Sequence, residues 1–205
     1  MLKNLLYFVK YPEPGKVKTR LAKTMGNEAA ARTYQLLAEH NFKAVESLDG
    51  IDTVVAFDPP DKEPFIREWL LPAAHYLPQC GDGLGDRLIH AFDWALQKPG
   101  SAAAALGSDT LCLTPEIILD AFDKLETFDT VLGPAEDGGY YLIGLRAPQP
   151  ELFIDIPWST PAVFELTLKR IREKKLSCFI LEELEDLDEA VIPDSASPNS
   201  TGTLS

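Results

Sequence analysis

Apolar and polar positions alternate along this chain in two rhythms, and the switches between them outline a series of elements. Residues 2–9, "LKNLLYFV", form a nearly continuous apolar and aromatic run, the pattern of a strand buried on both faces. A polar loop runs to Arg20. Residues 27–48 then space Ala30, Tyr34, Leu37 and Phe42 near one stripe, which predicts a helix. "DTVVAFD" predicts a second strand, "DKEPFIREWLL" a short helix, and "AHYLPQ" a brief strand ending in the turn "CGDGLGD". "RLIHAFDWALQK" reads as a helix and "SAAAALGSD" as a strand of small residues. In "TPEIILDAFDKL" Thr114 can cap a helix whose first position is Pro115. "FDTVLGPAEDGGYYLIGL" reads as two strands interrupted at residues 136–139. "STPAVFELTLKRIREKK" reads as a capped helix, and "SCFILEELEDLDEA" as a late strand entering an acidic loop.

Strands therefore alternate with helices for most of the chain. That predicts an α/β fold, a single-domain three-layer α/β/α sandwich with a mainly parallel mixed sheet. The domain is expected over residues 1–192. A tail at 193–205, rich in Ser, Pro and Asn, is expected to be disordered. Ligands of such sheets gather at the carboxyl ends of the strands. The loops at 10–20, 81–86, 107–110 and 136–139 each follow a predicted strand, so they are expected to meet along one edge.

Composition narrows the partners. With 45% hydrophobic and 25% charged residues, the chain is globular and long enough to fold without disulfides or a structural metal. Cys80, Cys112 and Cys178 are far apart and form no CxxC pair, which predicts reduced core or strand residues in a cytoplasmic protein. No apolar run reaches membrane-spanning length, and "LLYFV" followed by lysines reverses the order of a secretory signal. A net charge of −13 argues against a nucleic-acid partner. Against that background the first 23 residues hold six basic side chains (Lys3, Lys10, Lys16, Lys18, Arg20, Lys23) and one acid, Glu13. Six acids crowd residues 182–190. Solvated surface accounts for both clusters; the sharper expectation is an anion site built by the first loop.

Three stretches can carry chemistry. "PGKVKTR" lacks Walker A spacing, yet it offers Gly15, where backbone can approach a phosphate, beside the fork-shaped Arg20. An ordinary basic turn has the same composition. Asp109 in "LGSDT" ends a strand whose small residues leave room for a ligand, and a carboxylate there suits magnesium or manganese. Its alternative is a helix cap, a task for which Thr114 is better placed. In "AEDGGYYLIGL" the glycines allow Glu136 and Asp137 to be held at a sharp turn against a ligand, or simply close a hairpin. His40, His75 and His90 show no metal spacing and are expected on the surface. Tyr140 and Tyr141 alternate on a strand, so one is expected in the core and the other in the cleft.

Together "FVKYPEPGKVKTRLA", "LGSDTLCLTPEII", "GPAEDGGYYLIGL" and "PWST" resemble a bacterial family of glycosyltransferases related to the nucleotide-diphospho-sugar transferases. That family is similar to the molybdenum-cofactor and phospholactate guanylyltransferases and has a glycosyltransferase A-type fold. The resemblance runs from about residue 5 to 190. It implies that Lys10, Gly15, Lys16, Lys18 and Arg20 hold nucleotide phosphates, with Gly81, Gly83, Gly85 and Arg87 near the nucleoside. Asp109 corresponds to a metal-binding aspartate, with Asp186 or Asp188 as a second ligand for Mg2+ or Mn2+. Asp137, with Gly138 and Gly139, matches the family's turn beside the acceptor, and under sugar transfer Asp137 or Glu136 is the candidate base. Gly138, Gly139, Tyr140, Trp158, Ser159 and Thr160 are implied around the acceptor itself.

The expected function is that of a metal-dependent glycosyltransferase using a nucleotide-sugar donor and a small acceptor. The alternatives are a nucleotidyltransferase that releases pyrophosphate and a nucleotide-binding module without catalysis. The single acid in "GSDT", where the family has Asp-x-Asp, keeps the last one open.

Overall fold

The amino-terminal apolar run becomes the centre of the sheet. Strand β1 (Leu2–Lys10) is flanked in parallel by β2 (Ile51–Asp58) and β4 (Ser101–Gly107). Parallel β3 (His75–Pro78) lies outside β2. On the other side β6 (Tyr140–Leu145) runs antiparallel to both β4 and β5 (Thr130–Pro134), and β5 pairs in parallel with β7 (Cys178–Ile180). The order is β3-β2-β1-β4-β6-β5-β7. This computed structural model describes residues 1–185. The expected tail, along with Asp186 and Asp188, lies outside the described residues.

Helices cover both faces, which is why β1 reads as a continuous apolar run. Leu5, Tyr7 and Val9 pack with Tyr34, Ala38 and Phe42 of α2 (Asn27–Val45), Ile66 of α3 (Glu63–Trp69) and Ile118 and Phe122 of α5 (Pro115–Lys124). On the opposite face Leu6 packs with Leu88 and Phe92 of α4 (Leu84–Ala95) and Leu168 and Ile171 of α6 (Val163–Glu173). The Tyr7 ring meets Phe42 at 5.6 Å, and its hydroxyl donates to the Ala38 carbonyl at 2.7 Å. A buried hydroxyl with a partner avoids the cost of an orphaned polar group. This is the expected three-layer architecture.

Several local expectations are corrected. A short helix α1 (Thr19–Met25) begins inside the basic segment, so Thr19 and Arg20 are helical. Helix α4 begins at Leu84 and absorbs Leu84, Gly85 and Asp86, which the sequence suggests as turn. The α6 helix starts at Val163 without a side-chain cap. Ser159 has φ +64 and Thr160 donates its hydroxyl to the Pro157 carbonyl at 2.7 Å, so neither is available to cap it. Ala102–Ala105 of β4 lie buried beneath helices on both faces, so their small size serves helix approach and not a ligand. All three cysteines are free, but Cys80 and Cys112 are exposed; neither is a core residue.

Candidate active site

All four predicted loops do meet at one edge. A cavity of ≈460 Å³ is lined by Lys10, Lys16, Lys18 and Arg20, by Leu84 at the start of α4, by Ser108 and Asp109, and by Asp137. The ends of β1 and β4 contribute Phe8, Val9 and Gly107. The opening loop is shaped by a turn in which Lys16 N–H donates to the Glu13 carbonyl at 3.0 Å. Pro14 and Gly15 occupy its corners, and Gly15 has φ +79, the conformation that the second corner of a type II turn demands. Gly15 is thus explained by the turn, and it does not line the cavity.

Past that turn the chain reaches Lys18, held in the left-handed region at φ 44 and ψ 49. Its ammonium lies 2.7 Å from Asp109 Oδ2. The Lys18 side chain is 8% exposed and that of Asp109 35%, so the lysine is seated in the wall and the carboxylate faces the cavity.

The Asp109 loop is braced from α2. Asn41, fully buried, donates through Nδ2 to the Ser108 carbonyl at 3.2 Å and the Thr110 carbonyl at 2.8 Å, bracketing Asp109. Tyr34, which also lines the cavity, shares a 2.9 Å hydrogen bond with Ser108 Oγ and accepts Lys10 N–H at 2.9 Å. One phenol therefore ties the end of β1 to the end of β4. Burial, reinforced by the nearby Asp109 charge, raises its pKa far above the ordinary tyrosine value and keeps it neutral. Sequence reasoning missed both braces. Tyr34 was on the predicted apolar stripe, and the only trace of Asn41 was a polar residue adjoining Phe42 on that stripe.

The segment after β3 behaves differently from expectation. Of residues 81–87 only Leu84 lines the cavity. Arg87 instead forms an ion pair with Asp58 at 3.1 Å and donates to Gln79 Oε1 at 3.2 Å and the Gly81 carbonyl at 3.3 Å. Gln79 lines the cavity and donates to the Ala56 and Val9 carbonyls at 2.8 and 3.3 Å, locking β3 against the central strands. Gly85 is buried: a Cβ there would sit 2.5 Å from the Phe153 carbonyl and 3.0 Å from Trp158 Nε1. Gly81 and Gly83 are exposed and do not line the cavity either.

The β5–β6 turn takes the hairpin reading of its sequence. It is a hairpin, with Gly138 N–H donating to the Ala135 carbonyl at 3.0 Å, and it presents Asp137 to the cavity. Asp137 Oδ1 accepts Gly139 N–H at 2.8 Å. Gly138 has φ +84, and a Cβ there would fall 2.4 Å from the Pro161 carbonyl oxygen. Its own carbonyl accepts Phe164 N–H at 2.9 Å, so this turn seats the start of α6. Glu136 is exposed, donates its N–H to the Leu184 carbonyl at 3.1 Å, and does not line the cavity.

Neither adjacent tyrosine faces the cleft, contrary to expectation. Tyr141 packs its ring beneath Gly133 and donates to the Glu182 carbonyl at 3.1 Å. Tyr140 meets Trp158 edge to face at 6.3 Å, its hydroxyl buried without a hydrogen-bond partner among the described residues. Trp158 and Thr160 stay outside the cavity lining, while Ser159 belongs to it. His40, His75 and His90 are exposed.

Among the described residues no cluster of three or more His, Cys, Asp or Glu could by itself cage a metal. Magnesium and manganese do not require one. They take one or two carboxylates and fill the shell with water and substrate phosphate. Asp109 and Asp137, on a cavity lined by neither His nor Cys among the described residues, fit that oxygen-only chemistry.

With this geometry in place, likeness to other proteins becomes informative. A protein from Desulfovibrio desulfuricans G20, provisionally named a nucleotide-diphospho-sugar transferase, has a crystal structure that matches with a TM-score of 0.85 at 34% identity. The match covers 91% of this chain and 82% of that one. Glucosyl-3-phosphoglycerate synthase from Mycobacterium tuberculosis, in complex with Mn2+, uridine diphosphate and glucosyl-3-phosphoglycerate, matches at a TM-score of 0.52 and 12% identity. There the coverage is 90% of this chain and 70% of that one. A CMP:2-keto-3-deoxy-manno-octonic acid synthetase complexed with CTP matches at 0.53 and 11%, covering 90% and 91%. At such identities the last two show a shared fold alone. No curated protein matches the sequence. Among the described residues no helix is long and apolar enough to cross a membrane. The model of a family described as an uncharacterized protein conserved in bacteria, DUF2064, matches residues 41–160. On that match and the 34% identity over nearly the whole chain, this protein belongs to the DUF2064 family, whose fold is that of the nucleotide-diphospho-sugar transferases.

Proposed function

We propose that this protein is a glycosyltransferase that uses a nucleotide-sugar donor, a small acceptor and a divalent metal. One observation carries the reading: three separate loops bring four cations and two carboxylates onto a single cavity at the carboxyl edge of the sheet. Lys10, Lys16, Lys18 and Arg20 are assigned to the donor diphosphate. Arg20 suits bidentate contact with phosphate oxygens and the lysines act as point charges. Being already oriented, these groups stabilise charge as it builds on the leaving diphosphate. Asp109, with Asp186 or Asp188, would hold Mg2+ or Mn2+, which would supply Lewis-acid neutralisation of the same charge. Asp137 is the candidate base for the acceptor hydroxyl, its carboxylate oriented by Gly139 N–H. In the transfer the bond from the anomeric carbon to the diphosphate breaks and a bond to the acceptor oxygen forms. The acceptor proton passes to Asp137. Sugar transfer is preferred over nucleotidyl transfer because the relative at 34% identity carries a diphospho-sugar name. The catalytic unit is assigned to residues 1–192, and three free thiols suit a reducing cytoplasm.

A thermal-shift screen tests the reading. Nucleoside diphosphates, triphosphates and nucleotide sugars are compared with and without manganese, since a ligand of the native state raises the melting temperature. At least one nucleotide is expected to stabilise the protein, and Arg20→Ala to weaken that binding by about 1.5–3 kcal/mol. No shift from any nucleotide would sink the proposal.

A further inference from the structure

The Lys18–Asp109 contact says something about the order in which the site fills. Asp109 is the carboxylate best placed for a divalent cation, yet an ammonium already stands 2.7 Å from its Oδ2. The contact is built into the wall. Lys18 is nearly buried along its side chain, and its backbone adopts a left-handed conformation that is uncommon for a residue with a Cβ. The rest of the cavity points the same way. Among the described residues, its lining holds the cations Lys10, Lys16, Lys18 and Arg20 and the carboxylates Asp109 and Asp137. A dication approaching Asp109 meets the like charge of Lys18, and must displace or share the lysine's carboxylate.

We infer that Lys18 is a latch on the metal site. Without a phosphate-bearing ligand its ammonium occupies the cation position on Asp109. Phosphate oxygens draw it off, invert the local charge, and open Asp109 to the divalent metal. Donor phosphate therefore binds before or together with the metal, and metal alone binds poorly. This rests on the nucleotide-donor reading above, from which it inherits the anionic ligand. It goes beyond that reading by making one lysine the gate for both.

The test uses the full chain and manganese alone, followed by the electron paramagnetic resonance of the free ion. Wild type is expected to bind Mn2+ weakly. Lys18→Met, which keeps the apolar stem, should bind it at least about 10-fold tighter, since the like charge is gone. Lys18→Gln serves as a second variant should the first fail to fold. Adding Asp109→Asn to either is expected to abolish the gain, which assigns it to that carboxylate. A complementary arm titrates inorganic pyrophosphate in the presence of a chelator. Wild type should bind it without metal, and the Lys18 variants more weakly. Equal Mn2+ affinity in wild type and both Lys18 variants overturns the latch, as does a gain that survives Asp109→Asn. Pyrophosphate that binds wild type only with metal also overturns it. These arms contain no nucleotide, so the latch and the nucleotide-donor reading fail on different measurements.

Discussion

Asp109 and Asp137 line the same cavity but are held there by opposite means. Asp109 follows the central strand β4, its loop pinned by one buried side chain, Asn41, which bonds Ser108 and Thr110 from 67 and 69 residues away in sequence. Asp137 is exposed on a hairpin, oriented by a glycine two residues later and by a turn pressed against Pro161. The first carboxylate is fixed by tertiary packing and is already paired with a cation. The second is fixed by local turn chemistry and faces solvent. A group that must hold charge through a reaction gains from long-range bracing, whereas one that must exchange a proton gains from access. The proposed division of labour between metal side and acceptor side rests on that difference.

The comparison breaks most sharply at Asp137. Asp137→Asn preserves shape while removing a base, so turnover is expected to fall by roughly 10²–10⁴-fold with donor affinity unchanged. Parallel measurement of rate and donor binding checks this, and a parallel loss of affinity would move Asp137 to the metal shell. Bracing is compared next. Asn41→Leu leaves two buried carbonyls without their donor and should cost about 2–4 kcal/mol in urea unfolding. Gly138→Ala drives a methyl group into the Pro161 carbonyl at a left-handed position, and about 1–3 kcal/mol is expected. Similar losses from one tertiary brace and one local brace would show the two walls to be equally costly to disturb. A negligible loss at Gly138 would mean that the hairpin tolerates another backbone path.

The smallest effect lies away from the cavity and calibrates these values. Asp129 accepts the Ser177 hydroxyl at 2.7 Å and its N–H at 2.9 Å, stapling the entry of β5 to that of β7. The hydroxyl, then the N–H, hold its carboxyl below the ordinary 3.8. A lowered folded value contributes stability above the ordinary one, and that contribution fades as pH falls through the lowered value. Asp129→Asn should therefore cost about 0.5–1 kcal/mol at neutral pH, a modest figure because the pair is exposed. The gap from wild type should close in acid, read as melting temperature against pH.

Much of this was legible in the sequence because it is local. Continuous apolar runs marked the central strands, a helical stripe marked α2, Thr114 and Pro115 marked the start of α5, and punctuating glycines and acids marked where loops follow strands. Since a parallel sheet puts successive loops at one edge, the meeting of Lys10–Arg20, Ser108–Asp109 and Asp137 was predictable from order alone. What sequence could not supply is which of several like residues enters the cavity. Lys18 and Arg87 are both cations after strands, yet one meets Asp109 and the other is spent on Asp58, because strand order and helix start decide the neighbours of each. Gly83 and Gly85 looked alike in "GDGLGDR", but the start of α4 leaves one open and buries the other under Phe153. Asn41 drew no notice in the sequence, yet it braces a loop that the β1–β4 pairing brings within reach. The chain by itself determined element types, their order and the edge at which chemistry gathers, since those depend on periodicity and backbone preference. Tertiary structure alone decided partners, because a side chain's partner is set by distances between segments that have no common signature in sequence.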